Sequence, residues 1–113
     1  MWGIAALLAG MAIRPDGYRD WGNVAQWLPR AIAQTDLAQI TALLHSAPHA
    51  AWHRAGYLLA RGGRPDTGLE LLADAPKGRG PVHLGPRNRP GRFDARFDVI
   101  DSVLLASEDA LQP

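Results

Sequence analysis

WHRAGYLLARGGRPDTGLELL, residues 52–72, leads into PVHLGPRNRPGRFDARFDV, residues 81–99, and the change of pattern between the two stretches decides the fold. In the first, Trp52, Ala55 and Leu59 share one helical face with Leu58 beside them, while Arg54 and Arg61 fall on the wetter side. Gly62 and Gly63 stop that helix by accepting the left-handed conformation that closes a helix C-terminus. Asp66 then caps a short helix through Leu69 and Leu72. From Gly78 onward the period drops to two. Phe93, Ala95, Phe97 and Val99 alternate with Asp94, Arg96, Asp98 and Ile100, which predicts a strand with one covered face. Val82 to Leu84 is the expected partner strand, in an irregular hairpin that caps the helices.

Upstream of this stretch the period is helical throughout. Residues 1–13 read as a helix and residues 14–20 as a turn built on Pro15, Asp16 and Gly17. A second helix is expected near Asn23, whose side chain and that of Gln26 have the spacing of a capping box, with Pro29 kinking or restarting it. Thr35 or Asp36 caps a third, in which Leu37, Ile40 and Leu44 form one buried stripe, and Pro48 separates it from the next. The expected fold is α+β: a mostly helical N-terminal two-thirds with a small antiparallel β pair near the C-terminus, in one domain over residues 1–113. Leu44, Trp52, Leu59 and Leu72 occupy the inner stripes of consecutive helices and are expected to be buried together. Residues 102–113 are expected to form a short final helix or a frayed tail.

Composition narrows the class. A chain of 113 residues that is 47% hydrophobic and 20% charged is an ordinary globular domain, large enough for a real core. It has no cysteine, which excludes disulfides and thiolate-bound zinc and is compatible with a reducing cytoplasm. Residues 4–13 are apolar but too short to span a bilayer, and no basic segment precedes them as in a secretory leader. The net charge of +1 hides an uneven distribution, because residues 75–93 hold Lys77, Arg79, Arg87, Arg89 and Arg92 and no acid. These five are the candidate nucleic-acid-binding residues. The bland alternative is a solvated loop, since four of the nine prolines lie in the same window.

The order of these parts resembles the C-terminal domain of AbiEi-type antitoxins, the repressor half of type IV toxin-antitoxin pairs. The similarity lies in Arg54, Gly56, Tyr57 and Leu58 of an Arg-x-Gly-Tyr-Leu helix, in the leucine-rich short helix, in Leu84-Gly85-Pro86 after a strand, and in the basic, glycine-containing residues 89–93. RPDGYRDWGNVAQWL, residues 14–28, is similar to the family's connection between its first two helices here. Two departures stand out. No counterpart of the family's winged helix-turn-helix is expected within this sequence, because only about a dozen residues precede the matching region and cannot house a recognition helix. Where the family's first helix tends to read Leu-Leu-Asp, this chain has Leu7, Leu8 and Ala9. The resemblance implies a non-catalytic module that assists DNA binding, weakly and without sequence preference on its own, and neutralises a nucleotidyltransferase-like toxin. The alternative is a truncated remnant or protein-interaction domain without regulatory activity.

Catalytic readings are weaker. His45, His49 and His53 recur at four-residue intervals, with His83 further on, but Pro48 should break the helix that would align the first three, and no carboxylate lies nearby. Ser46, Ser102 and Ser107 lack any strand-turn-helix elbow. Arg96 between Asp94 and Asp98 reads as alternating charge on the wet side of a terminal strand. No catalytic residue, cofactor or metal site is expected.

Overall fold

The computed structural model describes residues 3–15, 21–78, 81–85 and 91–104. Five helices precede three short strands: α1 (Gly3–Ile13), α2 (Trp21–Ala33), α3 (Leu37–Leu44), α4 (His49–Arg61), α5 (Pro65–Ala73), β1 (Val82–Leu84), β2 (Arg92–Asp94) and β3 (Val99–Asp101). The fold is α+β, with the sheet near the C-terminus as the change of period requires.

α4 is the centre of the molecule. It packs on α1, α2 and α5 and carries β1 and β3 on a further side. A helix in that position cannot have a narrow apolar stripe, and Ala51, Trp52, Ala55, Gly56, Tyr57, Leu58 and Leu59 are all buried. Its end follows the expected chemistry. Gly63 adopts φ +103, the Gly63 amide donates to the Ala60 carbonyl and the Arg64 amide to the Leu59 carbonyl, the paired bonds that close a helix at a left-handed glycine. Asp36 caps α3, its carboxylate accepting from the Ala38 amide at 2.9 Å.

α2 and α5 begin differently from their sequence signals. α2 opens at Trp21, whose buried indole N–H donates to the Pro15 carbonyl at 3.2 Å, so Asn23 lies inside the first turn and does not cap it. The helix also runs through Pro29, which is exposed, so water can serve the carbonyl that the missing amide leaves open. α5 has Pro65 at its first turn, which leaves Asp66 inside that turn rather than at the cap. Asp66 still favours the helix there, through the dipole.

Arg54, expected on a wet surface, and Arg64 both reach backbone carbonyls of distant elements. Arg54 is half-buried and donates to the carbonyls of Ala12, at the end of α1, and His83, in β1. Arg64 donates to the carbonyls of Ile32, in the last turn of α2, and Thr35, just beyond it. Each brings donors to a helix C-terminus, where carbonyls run out of amides of their own helix.

The crossing of α4 and α5 is glycine on glycine. A Cβ added to Gly68 would lie 2.4 Å from the Gly56 carbonyl oxygen and 2.9 Å from the Phe97 ring. Leu44, Trp52 and Leu59 are buried as expected, but Leu72 is only half-buried and packs on the core's margin. Leu71 takes the enclosed position, while Leu72 lies against α4 with its Cγ 3.3 Å from where a Cβ on Gly56 would stand.

The sheet departs most from its expectation. Its order is β1-β3-β2, with β1 parallel to β3 and β2 antiparallel to it. The antiparallel pair is therefore β2 with β3, and Val82 to Leu84 joins β3 from the other side in the same direction. The run 93–99 is not one strand. Residues 95–98 form a loop between β2 and β3, closed by Asp98 at φ +56. Through that loop Phe97 turns inward and is fully buried, while Phe93 remains 52% exposed and Ala95 is exposed. The expected alternation fails because four loop residues reset which face each side chain meets. Of the C-terminal segment, only residues 102–104 fall within the described part.

Candidate nucleic-acid interface

Tyr57 sets the position of the β2–β3 hairpin against α4. Its hydroxyl donates to Asp101 Oδ2 at 2.5 Å, and its ring meets Phe97 edge-on with centroids 6.3 Å apart. Asp101 is fully buried and its other oxygen accepts from the amides of Val103 and Leu104. A buried carboxylate needs such partners, and here it has three. Burial foremost, and then the bond to Asp101, push the Tyr57 phenol far above its ordinary value, so it stays protonated. His53 completes the anchorage by donating from Nδ1 to the Phe97 carbonyl at 2.6 Å.

This anchorage leaves a groove of about 460 Å³ between the C-terminal half of α4 and the hairpin. Tyr57, Ala60 and Arg61 line one wall; Arg92, Phe93, Asp94, Ala95 and Arg96 line the other. Three arginines against one aspartate make it a cationic concavity. Asp94 pairs with Arg96 at 3.2 Å and also accepts from the Arg96 amide, which bends the loop and fixes the arginine over the Phe97 ring, 5.4 Å from its centroid. The Arg96 side chain is still 57% exposed. The Tyr57 hydroxyl is committed to Asp101, so among the described residues the groove offers an anion guanidinium groups and no acid in its lining beyond Asp94.

Of the five basic residues singled out in the sequence, the groove includes Arg92. Lys77 is exposed just beyond α5 and is not among the lining residues. Arg79, Arg87 and Arg89 lie outside the described residues. Arg61 and Arg96 were not among those five, having been read as a wet-side helix residue and as alternating charge on a strand, and they meet Arg92 only in the folded chain. The one local sign was Asp94-Ala95-Arg96, an aspartate two residues before the amide it caps.

The histidines do other work. His45 sits exposed at the end of α3, and the break at Pro48 separates it from His49 and His53, whose rings meet edge-on at 5.6 Å. Among the described residues no three His, Asp or Glu side chains come together as a metal-holding group. Ser102 is buried and donates to the Leu84 carbonyl at 3.2 Å. No helix among the described residues is long and apolar enough to cross a membrane.

No protein-family profile matches the chain, and no curated protein matches it. Among solved structures it is similar to the Rv2827c protein from Mycobacterium tuberculosis, with a TM-score of 0.88 and 26% identity over 96% of this chain. The chain spans 38% of the length of that protein.

Proposed function

We propose that this chain is a non-catalytic regulatory module of the AbiEi antitoxin kind, acting in the cytoplasm, whose arginine-lined groove engages nucleic-acid phosphates. The observation that carries the reading is the convergence of Arg61, Arg92 and Arg96 on one groove. Clustered guanidinium groups on an open surface match phosphate oxygens in geometry and charge without reading sequence. The motif resemblance adds the second role, neutralisation of a nucleotidyltransferase-like toxin encoded beside it.

Titration of a labelled duplex at low and physiological salt tests the first role. Binding is expected to be weak, indifferent to sequence and steeply weakened by salt. Changing Arg92 and Arg96 together to Ala should flatten the salt slope by up to about 2, since each phosphate contact contributes about 0.9. Neutralising Lys77, Arg79, Arg87 and Arg89 measures the share of the remaining basic residues. Absence of binding at low salt refutes the reading. Co-expression with a neighbouring nucleotidyltransferase-like protein tests the second role, rescue of growth being the expected result.

One observation favours the alternative of a protein-interaction domain. α1 exposes Leu7 and Ile13, 43% and 38%, on a helix that is apolar all round.

A further inference from the structure

The cross-strand register places a second feature beside the arginines. His83 of β1 pairs with Ile100 of β3, and Ile100 pairs with Phe93 of β2. Residues directly opposite one another project from the same face, so these three form one row across the sheet. Burial agrees: Val82, Leu84, Val99 and Asp101 are enclosed on the helix side, while His83 and Ile100 are half-buried and Phe93 is 52% exposed on the other. Arg92 and Asp94, the neighbours of Phe93, project from the opposite face, toward the groove with Arg61 and Arg96. Phe93 also borders the groove, so β2 brings guanidinium groups and an exposed aromatic ring together along one edge. An exposed phenylalanine on an edge strand is unusual, because edges are ordinarily blunted with charge.

We infer that the β2 edge is a binding site for an unpaired nucleotide, its base stacked on Phe93 and Ile100 and its flanking phosphates held by Arg92 and Arg96. This rests on the nucleic-acid reading above and narrows it to single strands. The bases of a duplex are stacked on each other and cannot reach a flat sheet face; an unpaired base can. The row spans two inter-strand spacings, about 10 Å, enough for one base and the margin of a second. Nothing in it supplies hydrogen-bond readout of a base beyond His83, so the preference is for strandedness rather than for sequence. Single-stranded DNA and single-stranded RNA share this chemistry.

The test uses the full chain and three labelled probes of about 12 nucleotides, within the range a single-strand site covers: oligothymidylate, oligouridylate and a duplex. At least one of the single strands is expected to bind several-fold tighter than the duplex, and the tighter of the two identifies the sugar. Phe93→Ala should weaken that strand by about 5- to 160-fold, the worth of one stacked base, and the duplex distinctly less. Phe93→Trp should restore it. Phe93 is exposed, so an unchanged melting curve for each variant separates lost stacking from lost structure. Equal binding of single strand and duplex, or Phe93→Ala acting on both alike, overturns the inference while the phosphate-binding role stands. No binding of any probe at low salt overturns both.

Discussion

Tyr57→Phe removes one hydroxyl from a fully enclosed site and is expected to destabilise the fold by about 1.5–3 kcal/mol, the range for a hydrogen bond to a charged group. Tyr57 is 3% exposed and Asp101 not at all, so water cannot replace the lost donor without opening the contact between α4 and β3. The phenyl ring keeps its edge-on contact with Phe97, and the amides of Val103 and Leu104 still serve Asp101 Oδ1, which limits the loss to one bond. For 113 residues the unfolding entropy is about 0.24 kcal/mol per kelvin, so the melting temperature should fall by about 6–12 °C. Urea unfolding of both proteins at neutral pH measures the difference directly. The discriminating comparison is the same substitution made on Asp101→Asn. The bond removed is then neutral, and the loss should shrink to about 0.5–1.5 kcal/mol. Equal losses in the two backgrounds, or a loss under about 0.5 kcal/mol in the first, would refute the view that this hydroxyl serves a buried carboxylate.

Alkaline stability should carry the same signature. The folded-state pKa of Tyr57 lies above the unfolded value of 10.0, so its contribution is fully present below pH 10.0. Above that it is lost as the unfolded chain ionises first, by about 1.4 kcal/mol per pH unit, and Tyr57→Phe should flatten this limb of the stability curve. Leu59→Ala should cost about 2–5 kcal/mol in denaturant unfolding, and Leu72→Ala distinctly less because Leu72 is half-buried. Gly68→Ala should cost about 1–3 kcal/mol by forcing α4 and α5 apart. Gly10→Ala, with nothing within 4 Å of its new Cβ, should instead raise the melting temperature through a gain of about 0.5–1 kcal/mol.

The helices were legible where their signals are local. Asp36, Pro48 and Gly63 end or begin helices by their own backbone and side-chain chemistry, and they sit where that chemistry puts them. The start of α2 was not legible, because Trp21 is held by a carbonyl six residues upstream, a contact no capping rule contains. The β region misled for a related reason: Phe97 belongs to an apolar period of two but is drawn inward by α4 and Tyr57 from within a loop. Arg54 and Arg64 look like surface charge and are consumed by carbonyls of distant helices. At the candidate site, charge clustering found Arg92. It passed over Arg61, a last-turn residue of α4, and Arg96, whose place between Asp94 and Asp98 read as alternating charge on the wet side of a strand.

The strand order has a consequence for how the molecule is made. β3 is the middle of the sheet yet the last of the three to be synthesised, and β1 and β2 hydrogen-bond to it and not to each other. While the nascent chain stops short of Val99, the helices can already pack, but β1 has no strand to pair with and Tyr57 has no carboxylate beneath its hydroxyl. At about 5–20 residues per second, β1 waits of the order of a second for its partner. Arrival of three residues then pairs both outer strands at once and delivers Asp101 to Tyr57, so the arginines reach their final positions only once β3 is in place.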